Sequence, residues 1–264
     1  MTPSTPSPLR RVAIIQARVS SSRFPGKVLE LLLGLPLIVF MAKRVQLAKL
    51  VDQVIVATST DPSDDALVQT VQSHGIDCFR GSLDDVLGRF YDAAQHAHAQ
   101  HVVRLTGDCP LMDADLVDRA LALLASSGAD YASNIAPPSY PDGLDVEAFT
   151  MAALHSAWVN ARLPSEREHV TLYLRAGHAH VKTVGWSGMS DLSSLRWTVD
   201  HPDDLAHVKA LLEAAGQTSA TGFDRFDIYR GIECGDLGKG AQHSRNEGLA
   251  KSLAAESRIT ASNP

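Results

Sequence analysis

Apolar and polar positions alternate along the chain in two periods. β-rich apolar runs lie at Val12–Ala17, Val54–Thr58, Cys78–Phe79 and His101–Leu105, and stretches of helical period follow them near Pro36–Lys49, Pro62–Ser73, Asp84–Gln100 and Ala114–Ser126. Asp61 stands where a cap would open the second helix, and Gly128 where a helix would end. Strand, helix, strand, helix in this order predicts right-handed βαβ crossovers and a parallel sheet covered on both faces.

After Asp130–Asn134 the rhythm breaks at Ala136–Gly143 (APPSYPDG), a proline-rich loop. Leu144–Phe149 then alternates as a strand, Met151–Arg162 and Glu166–Ala176 read as helices, and Val181–Trp186 reads as a further strand. Arg196–Val199 has the pattern of a strand returning to the main sheet, and a helix follows near Pro202–Ala215. The expected organisation is a disordered Pro/Ser/Thr arm over 1–10 and a domain over 11–215. That domain would carry an inserted region over 136–190, and an extension over 216–264 would follow it, in which Leu249–Glu256 suggests a short helix. Val170, Leu172 and Leu174 form an apolar seam on the 166–176 helix, and the insertion is expected to pair two chains through it as a homodimer.

Composition narrows the function. With 264 residues, 45% hydrophobic and 20% charged, the chain can bury a core and is neither disordered nor fibrous. Its net charge of −6 supplies no basic face for nucleic acid. The longest nearly apolar stretch, Val28–Ala42, spans 15 residues around Glu30 and falls short of a membrane span. No apolar segment near residue 1 resembles a secretory signal, and Cys78, Cys109 and Cys234 form no zinc-like group, so a reducing cytoplasm is expected.

Three stretches carry candidate chemistry. The loop after the first strand, Ala17-Arg18 running into VSSSRFPGK, gathers Arg18, Ser22, Arg23 and Lys27 where open α/β sheets bind ligands. Small residues there can turn backbone N–H groups toward phosphate oxygens while cations neutralise them, although neither GxxxxGK[ST] nor GxGxxG is present. A solvated basic turn has the same composition. HVVRLTGDCP leaves Asp108 at a second strand end, and LRWTVDHPD leaves Asp200 after a β-rich run. Asp108 could equally fix a turn or cap the following helix; together over one loop the two acids could bind Mg²⁺.

Taken in order, IIQARVSSSRFPGKVL, VIVATSTDPSDD, FRGSLDDVLGRFYDAA, VVRLTGDCPLMD, YPDGLDVEAF, LPSEREHVTLYLR and LRWTVDHPDDL resemble the cytidylyltransferase family of spore-coat polysaccharide biosynthesis proteins. That family is similar to CMP-Kdo synthetases and acylneuraminate cytidylyltransferases. The likeness runs over roughly Arg11 to Ala215, and NEGLAKSL at 246–253 also resembles the family's C-terminal end. It implies an α/β, Rossmann-like nucleotidyltransferase fold of the GT-A-like kind, with an inserted substrate and dimerisation subdomain. It also implies transfer of CMP from CTP to a sugar, acidic or amino-modified, with release of pyrophosphate. On this resemblance Ala17, Arg18, Ser22, Arg23 and Lys27 would hold the triphosphate, with Arg18, Lys27 and Asp108 catalytic. Arg80 and Arg89 would reach base or ribose, and Asp108 and Asp200 would bind Mg²⁺. Tyr140, Asp142, Asp145, Glu147, Glu168 and His169 would face the acceptor. The sequence departs from the usual family pattern at Val19, Ser20 and Phe24. Two other readings stay open: a glycosyltransferase that binds a sugar nucleotide, and a catalytically silent nucleotide-binding subunit.

Overall fold

A computed structural model of the chain describes residues 9–178, 180–235, 238, 240 and 243–262. The first apolar run becomes β1 (Arg11–Gln16), and a loop leads through a 3-10 turn (Lys27–Leu29) and a small hairpin, β2 (Leu31–Leu32) and β3 (Leu35–Pro36), into α1 (Leu37–Val45). β4 (Gln53–Ser59), α2 (Asp65–Ser73), β5 (Asp77–Gly81), α3 (Val86–His96), β6 (His101–Thr106) and α4 (Ala114–Ser127) continue the expected alternation. Asp61 accepts from the Ser63 N–H at 2.9 Å in the turn before α2, and Gly128 closes α4 at φ 58°.

With β7 (Tyr131–Ser133), β8 (Glu147–Thr150) and β9 (Thr183–Gly185), the strands form one seven-stranded sheet in the order β5-β4-β1-β6-β8-β7-β9. β8 runs antiparallel to β6 and β7, and the other pairings are parallel. Residues 136–190 therefore add two strands to the main sheet. Pleat alternation feeds two cores: Ala13 and Ile15 of β1 pack on one face with α1 and α4, while Val12 and Ile14 pack on the other with α3 and α5 (Met151–Asn160).

The region after α5 departs from expectation. The helix read over 166–176 is two short ones, α6 (Pro164–Glu168) and α7 (Leu172–Arg175), because Val170 takes φ 54° and breaks the run. Val170 and Leu174 of the apolar seam are fully buried within the chain, against residues of α3 and α5, so the seam's motive for a second copy falls away. Arg196–Val199 is no sheet strand either. Arg196 makes an isolated bridge to Asp142, and the Val199 N–H donates to the Asp108 carbonyl at 2.8 Å, threading the segment between two strand-end loops.

The ends of the chain complete the fold. Residues 1–8 of the expected arm lie outside the described residues, but the Arg10 carbonyl already accepts from Gln100 and His101 N–H groups. After α8 (Pro202–Ala214) come α9 (Arg225–Gly235) and α10 (Glu247–Ser262), the first unforeseen and the second longer than the short helix expected. Arg44, 2% exposed, donates to the carbonyls of Met112, Ala220 and Phe223 and lies 3.8 Å over the Phe223 ring. Arg225 pairs with Asp113 at 2.8 Å. All three cysteines are free: Cys109 is buried beside Asp108, Cys78 is half-buried, and Cys234 is exposed on α9.

Candidate active site

The carboxyl ends of β1 and β6 open into two adjoining pockets of about 240 Å³ each, whose shared lining includes Arg23, Thr106, Asp108, His169 and Asp200. The first is bounded by the loop after β1. Gly26, at φ 78°, turns that loop back and donates to the Val19 carbonyl at 3.0 Å, whereas Ser20 lies outside the left-handed region, so no glycine is needed there. Asp64, fully buried, holds the loop down. It accepts from the Val19 N–H at 2.7 Å and from the Ser59 hydroxyl and N–H. Nothing near Asp64 in the sequence reveals this role, since the Val19 it holds is 45 residues away.

Lys27 is buried and uses all three ammonium protons. Its Nζ lies 3.1 Å from Asp108 Oδ2, 2.9 Å from Asp200 Oδ1 and 2.8 Å from the Val199 carbonyl. Burial works against this charge, but Asp108 and Asp200 outweigh it and hold the ammonium above its ordinary value. Asp200 also accepts from Arg23 at 2.5 Å and from Arg196 at 3.3 Å. Burial would raise its carboxyl; Lys27 and Arg23 prevail and hold it well below the usual carboxylate range. Arg18 and Ser22 are exposed and line the first pocket. Arg89 lines it too, buried and lowered to about 10 by burial and the nearby Arg18 charge, while donating to the Ser82 carbonyl at 2.6 Å.

The second pocket holds the acidic residues. Glu147 is buried beneath it, paired with Arg104 and accepting from Tyr131 at 2.5 Å and Thr171 at 2.6 Å. Burial opposes its ionisation, yet Arg104 and Arg175 keep the carboxyl below its usual value. Asp145 pairs with Arg245 and is raised by burial against that pairing. Asp142 accepts from Arg196 at 2.8 Å, and burial pushes it up to about 6. His169, which ends α6 rather than opening a helix, reaches both pockets. Its Nε2 lies 3.0 Å from the Ser252 hydroxyl, which also donates to Glu168 at 2.7 Å.

The structure thus brings Ala17, Arg18, Ser22, Arg23, Lys27, Arg89, Asp108, Asp142, Asp145, Glu147, Glu168, His169 and Asp200 to one cleft. It does not bring the other two. Arg80 donates to the Ser59 and Asp61 carbonyls and pairs with Asp65, and the Tyr140 side chain is buried in the core with its hydroxyl against Arg119. Four arginines were missed. Arg104, Arg175 and Arg245 line the second pocket, and Arg196, 5% exposed, ties Asp142, Asp200 and Asp204 together. Arg196 sits inside the LRWTVDHPDD motif, four residues before Asp200, and that spacing was its available signal.

Residues 12–216 match the family model described as Cytidylyltransferase. The chain belongs to that family. It is 32% identical over 211 residues to the spore coat polysaccharide biosynthesis protein SpsF of Bacillus subtilis, covering 77% of this chain and 87% of that one. A 3-deoxy-manno-octulosonate cytidylyltransferase of Geobacter sulfurreducens is 37% identical over 119 residues, 44% of this chain and 46% of its own. Among solved structures, a cytidylyltransferase from Leptospira borgpetersenii superposes with a TM-score of 0.83 at 29% identity, over 89% of this chain and 99% of that one. The fold is the α/β nucleotidyltransferase fold of this cytidylyltransferase family.

Proposed function

We propose that this cytidylyltransferase transfers CMP from CTP to an acidic sugar, giving a CMP-sugar and pyrophosphate for a surface polysaccharide. The observation that carries the reading is the continuity of the two pockets through Arg23, Asp108 and Asp200. A loop rich in cations serves a triphosphate on one side, and a pocket of paired acids and arginines receives a polar acceptor on the other. Arg175, exposed at the second pocket, is the cation a sugar carboxylate would meet, and Asp145 suits its hydroxyls.

Asp108 and Asp200 fit a divalent cation, since the two carboxylates converge on the Lys27 ammonium, at 3.1 and 2.9 Å, and so lie close enough to share one ion. Bound there, Mg²⁺ would neutralise phosphate charge beside the loop. The chain's own part is positional. Arg18 and Arg23 hold the triphosphate so that an acceptor oxygen meets the α-phosphorus in line with departing pyrophosphate, and the cations offset charge growing on both. No protein nucleophile is required.

Pyrophosphate release should be measured with each nucleoside triphosphate against neutral, amino and acidic sugars in Mg²⁺. Turnover confined to CTP with an acidic sugar is expected; turnover with neutral sugars alone would overturn the acceptor assignment. Asp108→Asn should lower turnover at least ~100-fold, as for loss of one oriented electrostatic group. Arg175→Ala should raise the acceptor KM at least ~10-fold with CTP affinity unchanged.

A further inference from the structure

The C-terminal segment enters the cleft through a few charged contacts. Arg245 pairs with Asp145, lies 3.8 Å from Asp142 and donates to the Tyr140 carbonyl at 3.2 Å. Asn246, at φ 61°, turns the chain, and Glu247 then places its carboxylate 3.9 Å from Arg23 and 3.7 Å from His201. Further along α10, Ser252 meets Glu168 and His169, and Glu256 accepts from Ser165. Of the described side chains of α10, none is fully buried. A helix held by ion pairs and hydrogen bonds, with little apolar burial, opens at low cost.

The partners of this segment are the cleft's working groups. Glu247 puts a carboxylate on the guanidinium assigned to the triphosphate, and Arg245 covers two acids of the second pocket. We propose that residues 243–262 form a lid latched by Glu247 on Arg23 and by Arg245 on Asp142 and Asp145, which the arriving triphosphate unlatches to open the acceptor pocket. Phosphate oxygens compete with the Glu247 carboxylate for the same cation, so nucleotide and closed lid exclude one another. Glu247 and Arg245 are positioning residues in this scheme. It rests on the reading of the first pocket as a triphosphate site.

The test combines hydrogen exchange over 243–258 with CTP titration of the full chain in the absence of acceptor. CTP should accelerate exchange over that segment in the wild-type protein. Glu247→Gln removes the competing charge and should tighten CTP binding about fivefold, the scale of one partly exposed ion pair. Arg245→Gln touches no group assigned to the triphosphate, yet it cuts the other latch and should tighten CTP binding in the same direction while accelerating exchange without nucleotide. A role confined to packing would not produce that tightening. CTP binding with equal affinity to the wild type and both variants, or CTP protecting 243–258 from exchange, overturns the lid while leaving the nucleotide site standing. Failure of the wild type to bind CTP overturns both.

Discussion

Lys27 ties the fold to the cleft at the scale of one side chain. An exposed loop lysine could be truncated with little effect on folding, but this ammonium is 9% exposed and satisfies two carboxylates and a carbonyl. Lys27→Ala leaves Asp108 and Asp200 facing each other without their shared cation, and the expected cost is about 2 kcal/mol in a urea titration, together with loss of turnover. The same cluster fixes an acid limb. Asp200 has a folded value below its unfolded 3.8, so its contribution is present above about pH 4 and is lost as the pH falls through the folded value. The Asp200→Asn variant should therefore be less stable than wild type near neutrality and lose less stability on acidification, as unfolding titrations between about pH 2 and 7 would show. Much of this cluster was legible in the sequence, because a small-residue cationic loop and the acid just past β6, Asp108, follow from composition and sheet geometry, whereas the β-rich run before Asp200 marked that acid without being a strand. The arginines that pair with the acids were not. Arg104 reads as one polar residue in an apolar strand, and Arg245 lies 100 residues from the Asp145 it meets.

Elements show the same division between local and distant causes. α4 and the turn before α2 were predictable because Asp113, Gly128 and Asp61 do their capping within a few residues. The break between α6 and α7 was not, since SEREHVTLYLR holds no glycine or proline and none of its residues opposes a helix strongly. What decides it is the depth at which Val170 packs, fully buried, on α3 and α5. α9 was missed for a related reason: its attachment comes from Arg44 and Asp113, far earlier in the chain. Removing the Arg44 guanidinium leaves three carbonyls without a donor and Phe223 without its stacking partner. Arg44→Ala should cost about 3 kcal/mol and accelerate hydrogen exchange across Arg225–Gly235.

At the scale of the whole molecule, the stretch that matches the family model, 12–216, is smaller than the unit that folds. Ala220, Phe223 and Ile228 beyond it are buried in the same core as α1 and α4, and Tyr229 packs against Trp197 with ring centroids 5.1 Å apart. A chain ended at 216 should melt at least about 10 °C below the full chain, a drop that differential scanning calorimetry would resolve. Core and cleft lining thus meet in the last fifth of the sequence, which passes from the packed α9 to the polar α10. Cys234, exposed near the end of α9, stands just before that passage, whereas Cys109 is buried with its thiol driven up by desolvation and Cys78 is raised to about 11. Thiol reagents at neutral pH should accordingly modify one equivalent per native chain and three after denaturation. A fluorophore carried at that position would report the movement of the tail in real time, without altering any group in the cleft.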